Sequence, residues 1–444
     1  MSEPASSPRS PEGLLGFWRA LPREGRLLLS IVVLEFLGTG LVLPFHVVYL
    51  SEVRDFPLAT VGLLLALQPL AGVLATGPAG VVIDRVGARL VLMTTLTLSV
   101  LGNLVLALAA SLPVAAVGLV LIGVAFGISW PAVQSLVAAV VPAPLRQRYF
   151  GVNFALLNLG IGLGGIVGGF LVDVEVTATF QAIYVVDAVS YLPALVLLAW
   201  PLRHVAGRPV REHEEETADV GYLAVLRRPG VRPLVVLSFL GSFVGYAQLN
   251  TGLPAFARAV GEVSTRGLGF AFAANTAVIV VLQLFVLQRI EGRRRTRVIA
   301  AMGVVWTGAW LLMGAAGLVP GTLGATLLVA ACASVFALGE TLLQPTIPAL
   351  VNDLAPDHLR GRYNALSSAA FNGAAILAPP VTGFLVGSGL GGVYVGLLVA
   401  GSLALAAYAV LGVEPHLSDR VNGLRPAEPD PDAPLAAAPG RIVP

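Results

Sequence analysis

The sequence predicts an all-α integral membrane protein: twelve transmembrane helices in two parallel six-helix repeats. Three observations predict it. Apolar residues make up 56 % of the 444 positions and charged residues only 12 %, with a mean hydropathy of +0.85; soluble domains run at about 45–50 % and about 25 %. The apolar excess recurs along the whole chain, which excludes a single anchor on a soluble domain. A 42-residue segment of the first half also recurs, ungapped, in the second.

A spanning helix needs about 20 mostly apolar residues. Leu90 to Leu145 has no charged residue in 56 positions, room for two spans with a turn at Ser111-Leu112-Pro113. Tyr363 to Val413 is uncharged for 51 positions, with a turn between Gly387 and Gly392. The same rule gives spans at 27–50, 58–82, 90–111, 114–140, 149–172, 178–202, 233–257, 267–288, 298–318, 322–350, 363–386 and 391–413. They are numbered 1 to 12 in this order.

All 27 basic residues are Arg. With the N-terminus inside, 24 Arg fall on the cytoplasmic side and three (Arg54, Arg258, Arg266) outside. Positive charge stays cytoplasmic, so both termini are expected there. The Ser/Pro-rich start (Met1 to Pro11) does not read as a signal peptide. The expected organisation is an N-terminal segment with an interfacial helix (1–25), a six-helix half (26–202), a central loop (203–232), a second half (233–413) and a disordered tail (414–444). The central loop carries Glu212-His213-Glu214-Glu215-Glu216, read as a solvated face, and a second interfacial helix from Gly221 to Arg232. A lone Cys332 permits no intrachain disulfide. Arg in short clusters between apolar segments does not imply nucleic-acid binding.

Shifted by 214 residues, Pro131–Val172 falls on Pro345–Val386 with 16 of 42 positions identical, including Arg146/Arg360, Arg148/Arg362 and Tyr149/Tyr363. Each copy is the end of one span, a Pro-x-x-Leu-Arg-x-Arg-Tyr turn and the next span. Two halves in the same orientation make a parallel repeat.

Between spans 2 and 3 stands Gly80-Val-Val-Ile-Asp84-Arg85-Val-Gly87-Ala-Arg89. Its glycines permit a tight turn and close helix approach. Asp84 can pair with Arg or face a helix N-terminus, and Arg89 can bridge to a neighbouring helix end. The equivalent loop between spans 8 and 9 keeps only Gly292-Arg293-Arg294, with Asp353 a candidate partner for Arg294. In span 5, Gly151, Gly160, Gly164, Gly165, Gly168 and Gly169 form a small-residue series suited to close packing.

The Gly80–Arg89 loop resembles the G-x-L-a-D-r-x-G-r-k signature of the major facilitator superfamily, departing at Val82 and Ala88. The span 5 series resembles the g-x8-G-x3-G-P-x2-G-G motif of its twelve-span drug:proton antiporters, with Gly165 in the proline place. The resemblance covers about residues 14–413. It implies that spans 1, 4, 7 and 10 line a central cavity and that 3, 6, 9 and 12 are outer supports. It also implies that Gly80, Asp84, Arg85, Gly87 and Arg89 gate the cytoplasmic side. That family usually carries an Arg in mid span 4, where this chain has Leu119, so a coupling scheme built on that Arg does not transfer.

Three carboxylates fall inside spans: Glu35 (span 1), Asp187 (span 6) and Glu340 (span 10). A carboxylate at the bilayer centre costs at least about 2.5–3.5 kcal/mol, so each must face the bundle interior or water, or carry a proton. A carboxyl that changes protonation near neutral pH is what a proton-coupled carrier needs. On the implied cavity helices, Glu35 and Glu340 are the proton-coupling candidates; Asp187 is expected to hydrogen-bond a neighbour such as Asn103. His46 reads as a satisfied interface residue. Cavity candidates are Phe45, Phe126, Trp130, Gln134, Phe243, Tyr246, Gln248, Asn250, Asn275 and Gln344.

The resemblance therefore implies a secondary transporter of the cell membrane, most simply a monomer. It would export small apolar or cationic compounds in exchange for protons by alternating access. The alternative is a proton symporter importing a sugar or other metabolite. An enzyme is not expected: the five His are scattered, no metal-ligand spacing occurs, and no cofactor is implied. The absence of Lys rules out a nucleotide-binding P-loop.

Overall fold

A computed structural model describes residues 13–205, 207, 221–290, 292–356 and 359–424. Twelve helices are long and apolar enough to cross a membrane: Arg23–Val53, Leu58–Val86, Ala88–Ala107, Leu112–Val140, Pro144–Leu171, Thr177–Ala199, Val231–Ala259, Thr265–Gln283, Arg295–Ala316, Leu323–Leu354, Arg360–Gly387 and Gly391–His416. They correspond one to one with the expected spans. Several start before the apolar limit and take in Arg: Arg23 and Arg26 in span 1, Arg146 and Arg148 in span 5, Arg295 and Arg297 in span 9, and Arg360 and Arg362 in span 11. Hydropathy marks the bilayer, but helical hydrogen bonding does not stop at its edge and Arg is a good helix former.

The breaks between spans follow local chemistry. Gly87, at φ 92°, ends span 2 and begins span 3 in a single residue, a conformation that penalises any side chain with a Cβ. Ser111 is extended ahead of span 4, and Pro113 sits in its first turn, where a missing N–H costs nothing. Gly389, at φ 75°, turns the chain between spans 11 and 12.

Two spans are irregular. Span 1 passes through a 3₁₀ turn at Leu43–Phe45 and a π turn at Tyr49–Val53. Span 7 carries π turns at Ser242–Tyr246 and Gln248–Gly252, with Gly245 out of the helical region at φ −113°, ψ −105°. Freed backbone groups inside a membrane must find partners in the protein. The Trp310 indole donates to the Val244 carbonyl at 3.0 Å, and Gln248 donates to the Phe243 carbonyl at 2.9 Å.

Each half packs in the same pattern. Span 1 lies on span 5, span 4 on spans 2 and 3, span 8 on span 10, and span 9 on spans 10 and 12. The halves meet along two seams, span 2 against span 11 and span 5 against span 8. Under the repeat, span 2 corresponds to span 8 and span 11 to span 5, so each seam is the image of the other.

At the ends of the chain the outcome is mixed. A helix does form at Gly13–Ala20; Phe17 is buried with Leu21, Val137, Val141 and Tyr149, and the Arg148 guanidinium lies 5.1 Å from the Phe17 ring centre. Of Gly221 to Arg232, only Tyr222–Leu226 is a separate helix; Gly230 (φ 80°) breaks the chain and Arg232 joins span 7. The acidic run 212–216 lies outside the described residues. Disorder expected from Glu414 onward is corrected by the structure over 414–424, which folds against the start of span 9. Glu414 pairs with Arg294 at 2.9 Å and Arg297 at 3.0 Å. Asn422, 1 % exposed, accepts from the Thr296 amide at 3.0 Å. The prolines that suggested disorder lie mostly beyond this stretch. Asp353 pairs with Arg295 at 2.6 Å rather than with Arg294, because Glu414 and Asp419 occupy the latter.

Candidate functional site

The end of the bundle holding residues 53–58 and 259–265 is called distal; the end holding the described termini is proximal. At the distal end the halves are closed. Built onto Gly169, a Cβ would stand 3.1 Å from Gly269 Cα; on Gly162, it would stand 2.6 Å from Thr276 Cγ2. Gly62 of span 2 abuts the Pro379 carbonyl of span 11, and Gly383 of span 11 abuts Leu58. Glu52 of span 1 and Arg258 of span 7 form a two-pronged ion pair, with Nε to Oε1 at 2.8 Å, beside a cleft of about 400 Å³ lined by both halves.

The proximal end differs. Gly77 and Gly80 of span 2, Gly151 of span 5 and Gly361 of span 11 have open space within 4 Å of where a Cβ would stand. Asp84 and Arg85 are exposed, and among the described residues neither makes a hydrogen bond or ion pair. Arg89 donates to the Leu198 carbonyl at 2.7 Å, capping the end of span 6. The five loop residues lie at the proximal end, where Gly87 turns the chain and Arg89 is tied to the end of span 6.

The span 5 glycines divide into two rows. Gly160, Gly164 and Gly168, four residues apart and so on one helix face, lie against Val33, Leu37, Gly40 and Leu41 of span 1. Gly165 and Gly169 face Phe272 and Gly269 of span 8. One helix thus packs closely on its own half and on the other, while Gly151 touches neither.

At mid-depth stand the carboxyl groups. Glu340 is 5 % exposed; its Oε2 accepts from Asn275 Nδ2 of span 8 at 2.8 Å, and the Tyr246 hydroxyl at the span 7 break hydrogen-bonds to it as well. The same Asn275 amide donates to the Ala333 carbonyl at 3.2 Å. Three sequence candidates, Glu340, Asn275 and Tyr246, therefore form one cluster on three helices. Behind it lies a feature that sequence reasoning missed. Trp306 of span 9 is fully buried, stacks on Phe336 at 4.9 Å with planes 2° apart, and donates to the Phe336 carbonyl at 3.0 Å. Its ring fills the space left by Gly245 and Gly339, and so props the span 7 break. The only signal was a Trp opposite glycines on two other helices, which one-dimensional reading cannot pair.

In the first half Glu35 is half-buried, with no hydrogen-bond partner for its carboxyl among the described residues. Asp187 is 2 % exposed and lies against Gly38 of span 1, with the Asn103 amide and the Ser190 hydroxyl within hydrogen-bonding reach. His46 bonds the Tyr184 hydroxyl at 2.8 Å through Nδ1.

The cavity candidates separate by placement. Phe126, Trp130 and Gln134, again four residues apart, form one exposed stripe on span 4, with Phe126 75 % and Trp130 51 % exposed. Phe243 and Tyr246 are half-buried and Asn250 is exposed. Two candidates sit in the packing instead. Phe45 is fully buried against Gly168. Gln248 is also fully buried, accepting from Thr382 at 2.9 Å and Tyr394 at 2.6 Å and so bracing span 7 to spans 11 and 12. The side chain of Gln344 lies outside the described residues. Among the described residues no group of three His, Cys, Asp or Glu could hold a metal ion.

The bundle is similar to solved transporters. It matches the crystal structure of the nucleoside transporter NupG with a TM-score of 0.70 at 15 % identity, covering 87 % of this chain and 99 % of that one. It matches a POT family transporter in complex with a thioalcohol-conjugated peptide at 0.69 and 15 %, covering 89 % and 97 %. At such identity the likeness speaks to fold alone. By sequence, the uncharacterized MFS-type transporter YttB of Bacillus subtilis is 22 % identical over 371 residues, 82 % of this chain and 89 % of the relative. The quinolone resistance protein NorA of Staphylococcus aureus is 26 % identical over 220 residues, 50 % of this chain and 56 % of that protein. The Major Facilitator Superfamily model matches residues 28–335 and 262–440. With twelve spans, a duplicated six-helix half, glycine seams between the halves and this match, the chain belongs to the Major Facilitator Superfamily and is a multi-pass membrane transporter.

Proposed function

We propose that this transporter exports small apolar or cationic compounds in exchange for protons by alternating access. It would act as a monomer in the cell membrane with both termini cytoplasmic. The observation that carries the reading is the asymmetry of the two seams: closed at the distal end by glycine contacts and the Glu52–Arg258 pair, open at the proximal end. With the Arg-rich proximal end cytoplasmic, this is an inward-facing conformation.

A substrate would enter from the cytoplasm or inner leaflet onto the apolar Phe126–Trp130 stripe of span 4, with Tyr246 and Phe243 of span 7 as further contacts. Glu340 and Glu35 are the groups that would change protonation. Loss of a proton from Glu340 leaves a buried anion held by Asn275 and Tyr246, and through Tyr246 alters the span 7 break; this links the proton to helix movement. Closing the proximal end would bring Asp84 and Arg85, unpaired among the described residues, onto the ends of facing helices. The similarity to NorA, a quinolone resistance protein, supports export over import.

Everted vesicles with an acidified lumen test the direction. Uptake of a lipophilic cation or a quinolone, abolished by a protonophore, supports the proposal. Proton-driven accumulation of a sugar or nucleoside by right-side-out vesicles, with no export of any compound, would replace it with the importer reading.

A further inference from the structure

Two buried groups in the first half have complementary deficits. Asp187 is 2 % exposed in the middle of span 6. None of the ion pairs among the described residues involves it, and the groups acting on it are all neutral or acidic: Ser190, Asn103 and Glu35. Asn103 of span 3 is also 2 % exposed. Its Nδ2 donates to the Ser99 carbonyl at 3.1 Å, but its Oδ1 is buried with no donor. A buried anion without a cation is costly, and so is a buried acceptor without a donor. Asn103 acts on Asp187 from span 3, so a proton on Asp187 given to the free Asn103 Oδ1 would remove both costs.

The surroundings allow no other source. Span 1 presents Gly38 to Asp187, and Gly38 is the reason the carboxyl fits: a Cβ there would stand 2.6 Å from Asp187 Oδ1; Glu35 lies one turn before Gly38 on the same helix. Span 3 contributes Asn103. On span 6 the neighbouring titratable groups are Tyr184 and Tyr191, the first bonded to His46 at 2.8 Å and the second to Thr39 at 3.2 Å. Ser190 directs its hydroxyl to the Asp187 carbonyl at 2.7 Å and approaches the Glu35 carbonyl at 3.3 Å, so it ties span 6 to span 1 without neutralising either acid. No cationic side chain reaches the carboxyl among the described residues.

We propose that the junction of spans 1, 3 and 6 is a proton-binding site: Asp187 holds a proton donated in a hydrogen bond to Asn103 Oδ1, and half-buried Glu35 is the neighbour through which that proton is exchanged with the cavity. Asp187 then belongs to the proton machinery of the first half rather than to its packing. The transfer is a simple proton move from the Asp187 carboxylic acid to the Glu35 carboxylate, with no bond to carbon made or broken. The site rests on the proposed proton coupling for its use, not for its existence.

Infrared difference spectroscopy on purified protein at neutral pH separates the two. Wild type should show the carbonyl stretch of a protonated carboxylic acid, sensitive to exchange into D2O, that is missing in Asp187→Asn. In Asn103→Leu, which keeps the acid and removes its acceptor, the same band should persist and move to higher wavenumber. If Asp187→Asn leaves the protonated-acid region unchanged, or Asn103→Leu leaves the band where it was, the site is overturned. A band that vanishes on adding sodium ion at constant pH would also overturn it, since the pocket would then hold a metal cation instead. Loss of the band in Asp187→Asn together with transport that moves no protons would uphold this site and defeat only the antiport reading.

Discussion

Glu340 on span 10 and Asn275 on span 8 are joined by a 2.8 Å hydrogen bond in the buried middle of the second half. No Arg pairs with Glu340 among the described residues, so an anionic Glu340 would lean on the Asn275 amide. Glu340→Gln keeps the shape and can still accept from Asn275 through its carbonyl oxygen. It should therefore fold, yet lower compound-driven proton movement at least tenfold. Asn275→Leu should leave the acid in place but hold it protonated, so that transport recovers only at more alkaline pH. Proteoliposome flux measured across a pH series checks both.

Gly164→Ala should loosen the first half. The added methyl would meet Gly40 Cα and carbonyl carbon at 2.8 Å, both backbone atoms that cannot rotate aside. Overpacking of this kind costs about 1–3 kcal/mol. Gly151→Ala, with open space around it, should be neutral or slightly stabilising, since Ala is the better helix former by up to about 1 kcal/mol. Apparent Tm in detergent distinguishes them.

Asn422 caps span 9 from a distant part of the chain. Its Oδ1 accepts the Thr296 amide at 3.0 Å, one of the donors a helix start leaves without a partner. Asn422→Ala should destabilise by about 0.5–2 kcal/mol, the range for a lost N-cap, and Asn422→Asp should retain most of the stability. Thermal unfolding of the purified variants is the check.

The Glu52–Arg258 pair bridges spans 1 and 7 at the closed end. Arg258→Glu should open it, and Glu52→Arg in the same molecule should close it again. Labelling of Ala255→Cys by a membrane-impermeant maleimide reads the opening; Cys332 is buried and contributes no background. A severalfold rise in the single variant that returns to the starting rate in the double variant is expected.

The membrane architecture was legible because hydropathy and Arg placement are one-dimensional signals. Fifty-six uncharged residues at 90–145 cannot be accommodated any other way. The Gly160–Gly164–Gly168 row was legible too, because a four-residue spacing fixes a helix face. Which neighbour each row touches was not. Glu340, Asn275 and Tyr246 could be named singly as polar residues in spans, but their meeting depends on how spans 7, 8 and 10 rotate about their axes. The Trp306–Gly245 contact was hidden for the same reason. Asp84 shows a different limit: its sequence signature suggests a latch, whereas among the described residues it has no partner. The stretch at 414–424 misled because proline content was averaged over a tail whose first eleven residues fold against Arg294, Arg295 and Thr296.

Proton flux in proteoliposomes holding purified protein and a trapped pH dye tests the central claim. Adding a substrate compound on the cytoplasmic face should drive protons out of an acidified lumen in the wild type, with the response lost in Glu340→Gln or Glu35→Gln and the compound still bound. Compound movement at the wild-type rate in both variants, with no change in lumenal pH in any of the three proteins, would contradict it.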